Sequence, residues 1–89
     1  MTPIFLITGA PAVGKTTTGR ALASRFAKSL HIPVDDVRGM VVSGVQHPAR
    51  EWSAELVEQL SAARESVCAM AMRYHPVGFT VVIDDFYDP

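Results

Sequence analysis

Gly9, Gly14, Lys15 and Thr16 occupy the fixed positions of the pattern G-x-x-x-x-G-K-[ST], written here Gly9-Ala10-Pro11-Ala12-Val13-Gly14-Lys15-Thr16 and followed by Thr17. These residue types at this spacing do one kind of chemistry: they enclose an anion. Two glycines let the backbone curl through φ values that other residues resist, so that successive N–H groups converge on one phosphate. Lys15 adds a positive charge for the terminal phosphates of a nucleoside triphosphate, and the Thr16 hydroxyl is placed to ligate Mg2+. Thr17 is placed to offer a hydroxyl or N–H group to the α-phosphate. Gly9 to Thr17 is therefore the expected nucleotide cradle.

Two acidic pairs extend the chemistry. Val81-Val82-Ile83 is an apolar run that closes on Asp84. A carboxylate at such a strand end holds Mg2+, usually through water, and balances charge around the phosphates. Thr16 and Asp84 are thus the expected metal pair. Asp35-Asp36 lies about twenty residues beyond Lys15. Two carboxylates near a γ-phosphate would repel it, so the placement is costly unless one of them handles a hydroxyl proton or a metal.

The elements that must position these groups follow from hydrophobic periodicity. Ile4 to Ile7 suits a buried parallel strand. Thr18 to about Leu30 predicts a helix, with Leu22, Phe26 and Leu30 on one face. His31 to Val34 is a short extended segment, since Pro33 disfavours helix around it. Gly39 to His47 reads as an irregular connector. Pro48 looks like the first-turn residue of a longer helix running to about Tyr74. In it Trp52, Leu56, Leu60, Ala63, Val67, Met70 and Tyr74 form one stripe, and Glu51, Glu55, Glu58 and Glu65 fall largely elsewhere. His75 to Gly78 ends that helix, and Phe79 to Ile83 is a second strongly apolar strand. Strands alternating with helices imply an α/β fold with a parallel sheet. Ligands bind such sheets at the carboxyl ends of the strands, where Gly9–Thr17, Asp35-Asp36 and Asp84-Asp85 all fall.

Bulk properties narrow the function classes. The chain has 89 residues, room for one small domain, and its net charge of −1 provides no field for nucleic acid or an anionic membrane surface. A hydrophobic fraction of 48% describes a packed globule. Cys68 is the only cysteine, which rules out an intrachain disulfide and suits a reducing cytoplasm. His31, His47 and His75 show no metal-site spacing and read as surface or helix-end residues. The N-terminus lacks the basic leader and apolar core of a signal peptide or anchor, so a cytoplasmic location is expected.

With the Gly9–Thr17 loop, the Asp35-Asp36 pair resembles the small P-loop phosphotransferases of the nucleoside-monophosphate-kinase-like group. Shikimate and gluconate kinases, chloramphenicol phosphotransferase and zeta-toxin-like kinases belong to it. The resemblance implies a three-layer P-loop NTPase fold, ATP and Mg2+ as ligands, and a small-molecule hydroxyl as phosphoryl acceptor. An acid at this place in that group faces the acceptor hydroxyl, with a nearby Arg on the substrate. It therefore implies Asp35 as the base or acceptor-orienting residue beside the catalytic Lys15, Asp36 second to it, and Arg38 as a substrate contact, with Arg50 behind Arg38.

The group continues past this point with an Arg-bearing lid, two further strands and an adenine loop, none of which is found in these residues. The resemblance thus casts the chain as the N-terminal half of such a domain, 1–89 being a partial nucleotide-binding unit, with Phe86 to Pro89 leading onward. Without a fourth strand, Ile4–Ile7 becomes an exposed apolar edge open to self-association. Two other readings stand beside the kinase. In an ATPase, Asp85 would polarise a water; a non-enzymatic half-domain would bind phosphate weakly or only associate through its strand edge.

Overall fold

A computed structural model describes residues 2–9, 14–47 and 51–86, which hold three strands and three α-helices. The order is β1 (Ile4–Gly9), α1 (Lys15–Ala23), β2 (Ser29–Pro33), α2 (Val34–Arg38), α3 (Ala54–Tyr74) and β3 (Thr80–Phe86), with a short 3₁₀ turn at His75–Val77. The strands form one parallel sheet in the order β1-β3-β2. The chain is an α/β protein.

β3 is central because it is the strand that can be buried on both faces. Thr80, Val81, Val82 and Asp84 are each at most 1% exposed. Its register sets the site: Asp84 lies between Ile7 of β1 and Pro33 of β2. Pro33 has no N–H to extend the ladder, so β2 stops there and the chain turns directly into α2. Alternation then sends neighbouring side chains to opposite faces. Ile32, Val81 and Ile83 pack with Ala63, Val67 and Ala71 of α3. His31 and Asp84 point the other way, toward Gly19 of α1. Three layers result: α1, sheet, α3.

The helices begin and end differently from the periodicity. The helix expected over Thr18–Leu30 is α1, which starts at Lys15 and stops at Ala23. Ser24 Oγ donates to the Arg20 carbonyl at 2.8 Å, and i→i+3 bonds at Arg25 and Phe26 tighten the exit. Leu30, which fits the helical stripe, belongs instead to β2, because pairing with Val81 on β3 outweighs a local i+4 match. The long helix starts at Ala54 rather than near Pro48, which lies outside the described residues. Ser53 caps it, its Oγ accepting the Leu56 N–H at 3.0 Å. Its buried face is Leu56, Leu60, Ala63, Val67 and Ala71, whereas Met70 and Tyr74 are over a third exposed. Successive steps of four at the C-terminal end turn small Ala71 inward, which lets α3 lie close on the sheet. The helix does end at His75–Gly78 as expected, where Gly78 takes a φ of +96°.

The segment 39–47 is irregular, as its glycines suggest, yet it is pinned. Gln59 Oε1 accepts the Gln46 N–H and Gln59 Nε2 donates to the Gly44 carbonyl, both at 2.8 Å. β1 is an edge strand. Register puts Ile4 and Leu6 on the α3 side, where they remain 48% and 66% exposed because α3 lies over β2 and β3. Among the described residues no helix is long and apolar enough to cross a membrane.

Candidate functional site

The site is built at the carboxyl ends of the strands. Gly14 adopts a φ of +84°, a left-handed conformation that sets the direction of α1. The Thr18 N–H bonds back to the Gly14 carbonyl at 3.0 Å, closing the first turn. The amides of Lys15, Thr16 and Thr17 have no intrahelical acceptor at this end, and among the described residues no side chain caps them. The first turn carries no acid, so its dipole is left for an external anion. Gly9 ends β1, level with Phe86 of β3. Ala10, Pro11, Ala12 and Val13 lie outside the described residues.

α1 carries Thr16 up to Asp84, level with the last residue of β2 and two residues before β3 itself ends at Phe86. Thr16 Oγ1 donates to Asp84 Oδ1 at 3.1 Å, a contact between residues 68 positions apart. Adjacent ligands on an octahedral Mg2+ at about 2.1 Å stand about 3.0 Å apart, so this hydroxyl–carboxylate pair has the chemistry and spacing of a Mg2+ edge. Among the described residues no cluster of three or more His, Cys, Asp or Glu side chains forms a cage. Mg2+ asks for few protein ligands when phosphate oxygens supply others, and these two oxygens fit it.

Asp84 has a second partner that periodicity did not reveal. His31 Nε2 lies 2.5 Å from Asp84 Oδ2, with side-chain exposures of 12% and 1%. His31 is therefore a half-buried partner of the site, whereas His47 is exposed and His75 sits at a helix end as expected. Gly19 makes room for this contact: a Cβ there would fall 2.7 Å from His31 Nε2. The only signal available beforehand was alternation, which turns His31 away from Ile32 and toward α1.

The acceptor-side residues divide. Asp35 and Asp36 fall in the first turn of α2, immediately beyond the end of β2. The Asp35 carboxylate is 59% exposed and is held by Arg38 Nη2 at 2.9 Å. Arg38 itself is buried, and its Nη1 donates to the Gln46 carbonyl at 2.5 Å. Its guanidinium thus ties the 39–47 segment to Asp35, while its Nε is the one buried side-chain polar atom among the described residues without a partner. Beside it, Val37, Arg38, Val41, Gln59, Ala62 and Ser66 line a cavity of about 190 Å³ between α2 and α3. Asp36 is exposed, and Arg50 lies outside the described residues.

Asp85 faces the α3 side. Arg64 Nε donates to its Oδ2 at 2.7 Å, with Nη2 3.4 Å from Oδ1, and the guanidinium stands over the Phe86 ring at 5.8 Å. Trp52 meets the same ring edge-on, with centroids 6.3 Å apart, which makes it a packing residue just ahead of α3. The structure therefore brings Thr16 and Asp84 together, sets Asp35 two residues past the strand that flanks Asp84, and commits Asp85 to Arg64. No protein-family model matches this chain, and no curated protein matches it.

Proposed function

We propose that this chain binds ATP through Gly9–Thr17 in a P-loop nucleotide fold and serves the transfer of the γ-phosphoryl group to a hydroxyl of a small molecule. The observation that carries the reading is the Thr16 Oγ1–Asp84 Oδ1 contact at 3.1 Å, which joins the phosphate-binding pattern to an acid near the carboxyl end of β3. The amides at the start of α1 and Lys15 bind the phosphates, and Thr17 contacts the α-phosphate. Mg2+, held by Thr16 Oγ1 and by Asp84 directly or through water, would neutralise the β- and γ-phosphate oxygens. Asp35 accepts the hydroxyl proton as the acceptor oxygen bonds to the γ-phosphorus and the bond to the β,γ-bridging oxygen breaks; ADP leaves. Positioning and charge neutralisation supply most of the rate. The acceptor's body has room in the cavity lined by Arg38, and Asp36, exposed in the same turn of α2, is second to Asp35 on the acceptor.

The hydrolytic alternative gains less support. It asks Asp85 to polarise a water, yet both oxygens of that carboxylate face Arg64. Phosphorus-31 spectra of the protein incubated with Mg·ATP and a panel of polyols and amino alcohols test the proposal. The expected product signal is a phosphomonoester, lost in Asp35→Asn while ATP binding is retained. Inorganic phosphate alone, surviving in Asp35→Asn and lost in Asp85→Ala, would favour the ATPase.

A further inference from the structure

The geometry points to His31 as the positioning residue for the cation site: its Nε2–H holds Asp84 Oδ2 so that Oδ1 stays aimed at Thr16 and the Mg2+ position. This rests on the nucleotide-binding reading above and adds to it a residue that the phosphate-binding pattern does not contain.

Asp84 is held at both of its carboxylate oxygens. Its side chain is 1% exposed, so each carboxylate oxygen must find a donor within the protein. A carboxylate's terminal torsion is broad and roughly two-fold, so burial alone does not choose which oxygen faces α1. Two different donors do choose. Thr16 Oγ1 takes Oδ1 at 3.1 Å, and His31 takes Oδ2 at 2.5 Å. A carboxylate only accepts, which makes His31 Nε2 the donor. The two holds are unequal. Thr16 sits in the exposed first turn of α1, and its hydroxyl would turn to a cation. His31 is anchored in β2, whose ladder with β3 fixes its Cα beside Val82. When Thr16 engages a cation, His31 is the partner among the described residues that keeps the carboxylate oriented.

Gly19 supplies the independent observation. It lies on α1 three residues after Thr16, on the same helical face, and it is buried. Glycine within a helix is unfavourable. Here any Cβ would meet His31 Nε2 at 2.7 Å, His31 Cδ2 at 3.1 Å and Asp84 Oδ2 at 3.4 Å. The missing side chain is what lets α1, β2 and β3 converge on one carboxylate. Partners that orient a metal-binding group typically change metal affinity by about 10- to 100-fold when removed.

Mn2+ serves as a paramagnetic probe for the Mg2+ position. Water-proton relaxation enhancement, which separates the ternary protein·Mn2+·ATP complex from Mn2+·ATP alone, is titrated with protein at fixed Mn2+·ATP, using wild type, His31→Leu, His31→Gln and Gly19→Ala. Glutamine places an N–H donor near Nε2, so it keeps the hold on Oδ2; leucine removes it. The expected result is a Mn2+·ATP affinity lowered at least about tenfold in His31→Leu and Gly19→Ala. His31→Gln stays within about threefold of wild type, and metal-free ATP affinity is unchanged throughout. Gly19→Ala keeps the measurement informative should the leucine variant fold poorly, since alanine favours the helix it enters. Wild-type Mn2+·ATP affinity in His31→Leu or Gly19→Ala overturns the proposal and leaves nucleotide binding intact. So does equal loss in His31→Leu and His31→Gln, which marks a packing role. A wild-type protein that binds neither ATP nor Mn2+·ATP overturns the underlying reading, and the proposal with it.

Discussion

Replacing Gln59 by alanine tests how the acceptor side of the site is held. The substitution removes two hydrogen bonds of 2.8 Å that pin 39–47 onto α3, one from the Gln46 N–H and one to the Gly44 carbonyl. The first is partly buried and the second exposed. At about 1 kcal/mol for the former and about half that for the latter, the loss is about 1.5 kcal/mol. That is about a tenfold shift in the folded-to-unfolded ratio. For a chain of this size it lowers the melting temperature by about 6–12 °C. The local effect is larger, because the Gln46 amide loses its only acceptor among the described residues. Thermal melts by circular dichroism give the first number, and amide hydrogen exchange at Gln46 gives the second. Gln59→Glu refines the test: it keeps an acceptor for Gln46 but gives up the donor to Gly44, so Gln46 protection should survive. Since Arg38 grips both the Gln46 carbonyl and Asp35, Gln59→Ala should also raise the KM for the acceptor without weakening ATP binding. A Gln46 amide as protected in Gln59→Ala as in wild type would refute the reasoning.

Leu60 is 2% exposed in a cluster with Leu56 and Phe86, and Leu60→Ala should cost about 2–5 kcal/mol in a urea unfolding titration. A midpoint equal to wild type would mean that α3 does not pack on β3 as described. Leu6 is 66% exposed on the β1 edge strand, so the wild type should self-associate as its concentration rises. Leu6→Lys should keep the chain monomeric in sedimentation velocity, with stability changed by no more than about 0.5 kcal/mol.

β1, β3 and Asp84 were legible because their signals are short-range, whereas β2 begins two residues before the expected His31 and Val34 to Asp36 turn into α2. Ile4–Ile7 and Val81–Ile83 are apolar runs beside turn residues, and Asp84 follows directly in sequence. Its pairing with Thr16 could be anticipated because an apolar strand and a glycine-rich loop each have a fixed place in a parallel sheet. The helix ends were not legible. Leu30 satisfies an i+4 step from Phe26, and only the ladder with β3, fifty residues away in sequence, claims it for β2. Pro48 and Ser53 are both acceptable helix starters, and the hydrogen bond from Leu56 N–H to Ser53 Oγ decides between them. His31, Gly19 and Arg64 escaped because each acts on an acid far along the chain, with no local pattern marking the contact. Arg38 was singled out as a substrate contact; the structure adds that two of its nitrogens already tie Gln46 to Asp35.

The central claim is that Gly9–Thr17 and Asp84 make a Mg·ATP site. Isothermal titration of the chain with Mg·ATP, beside Lys15→Ala, tests it most directly. Saturable binding to one site is expected in the wild type, weakened about 10- to 100-fold in Lys15→Ala, as loss of a hydrogen bond to a charged group implies. Heat that fails to saturate at millimolar nucleotide, or equal affinity in Lys15→Ala, would contradict it.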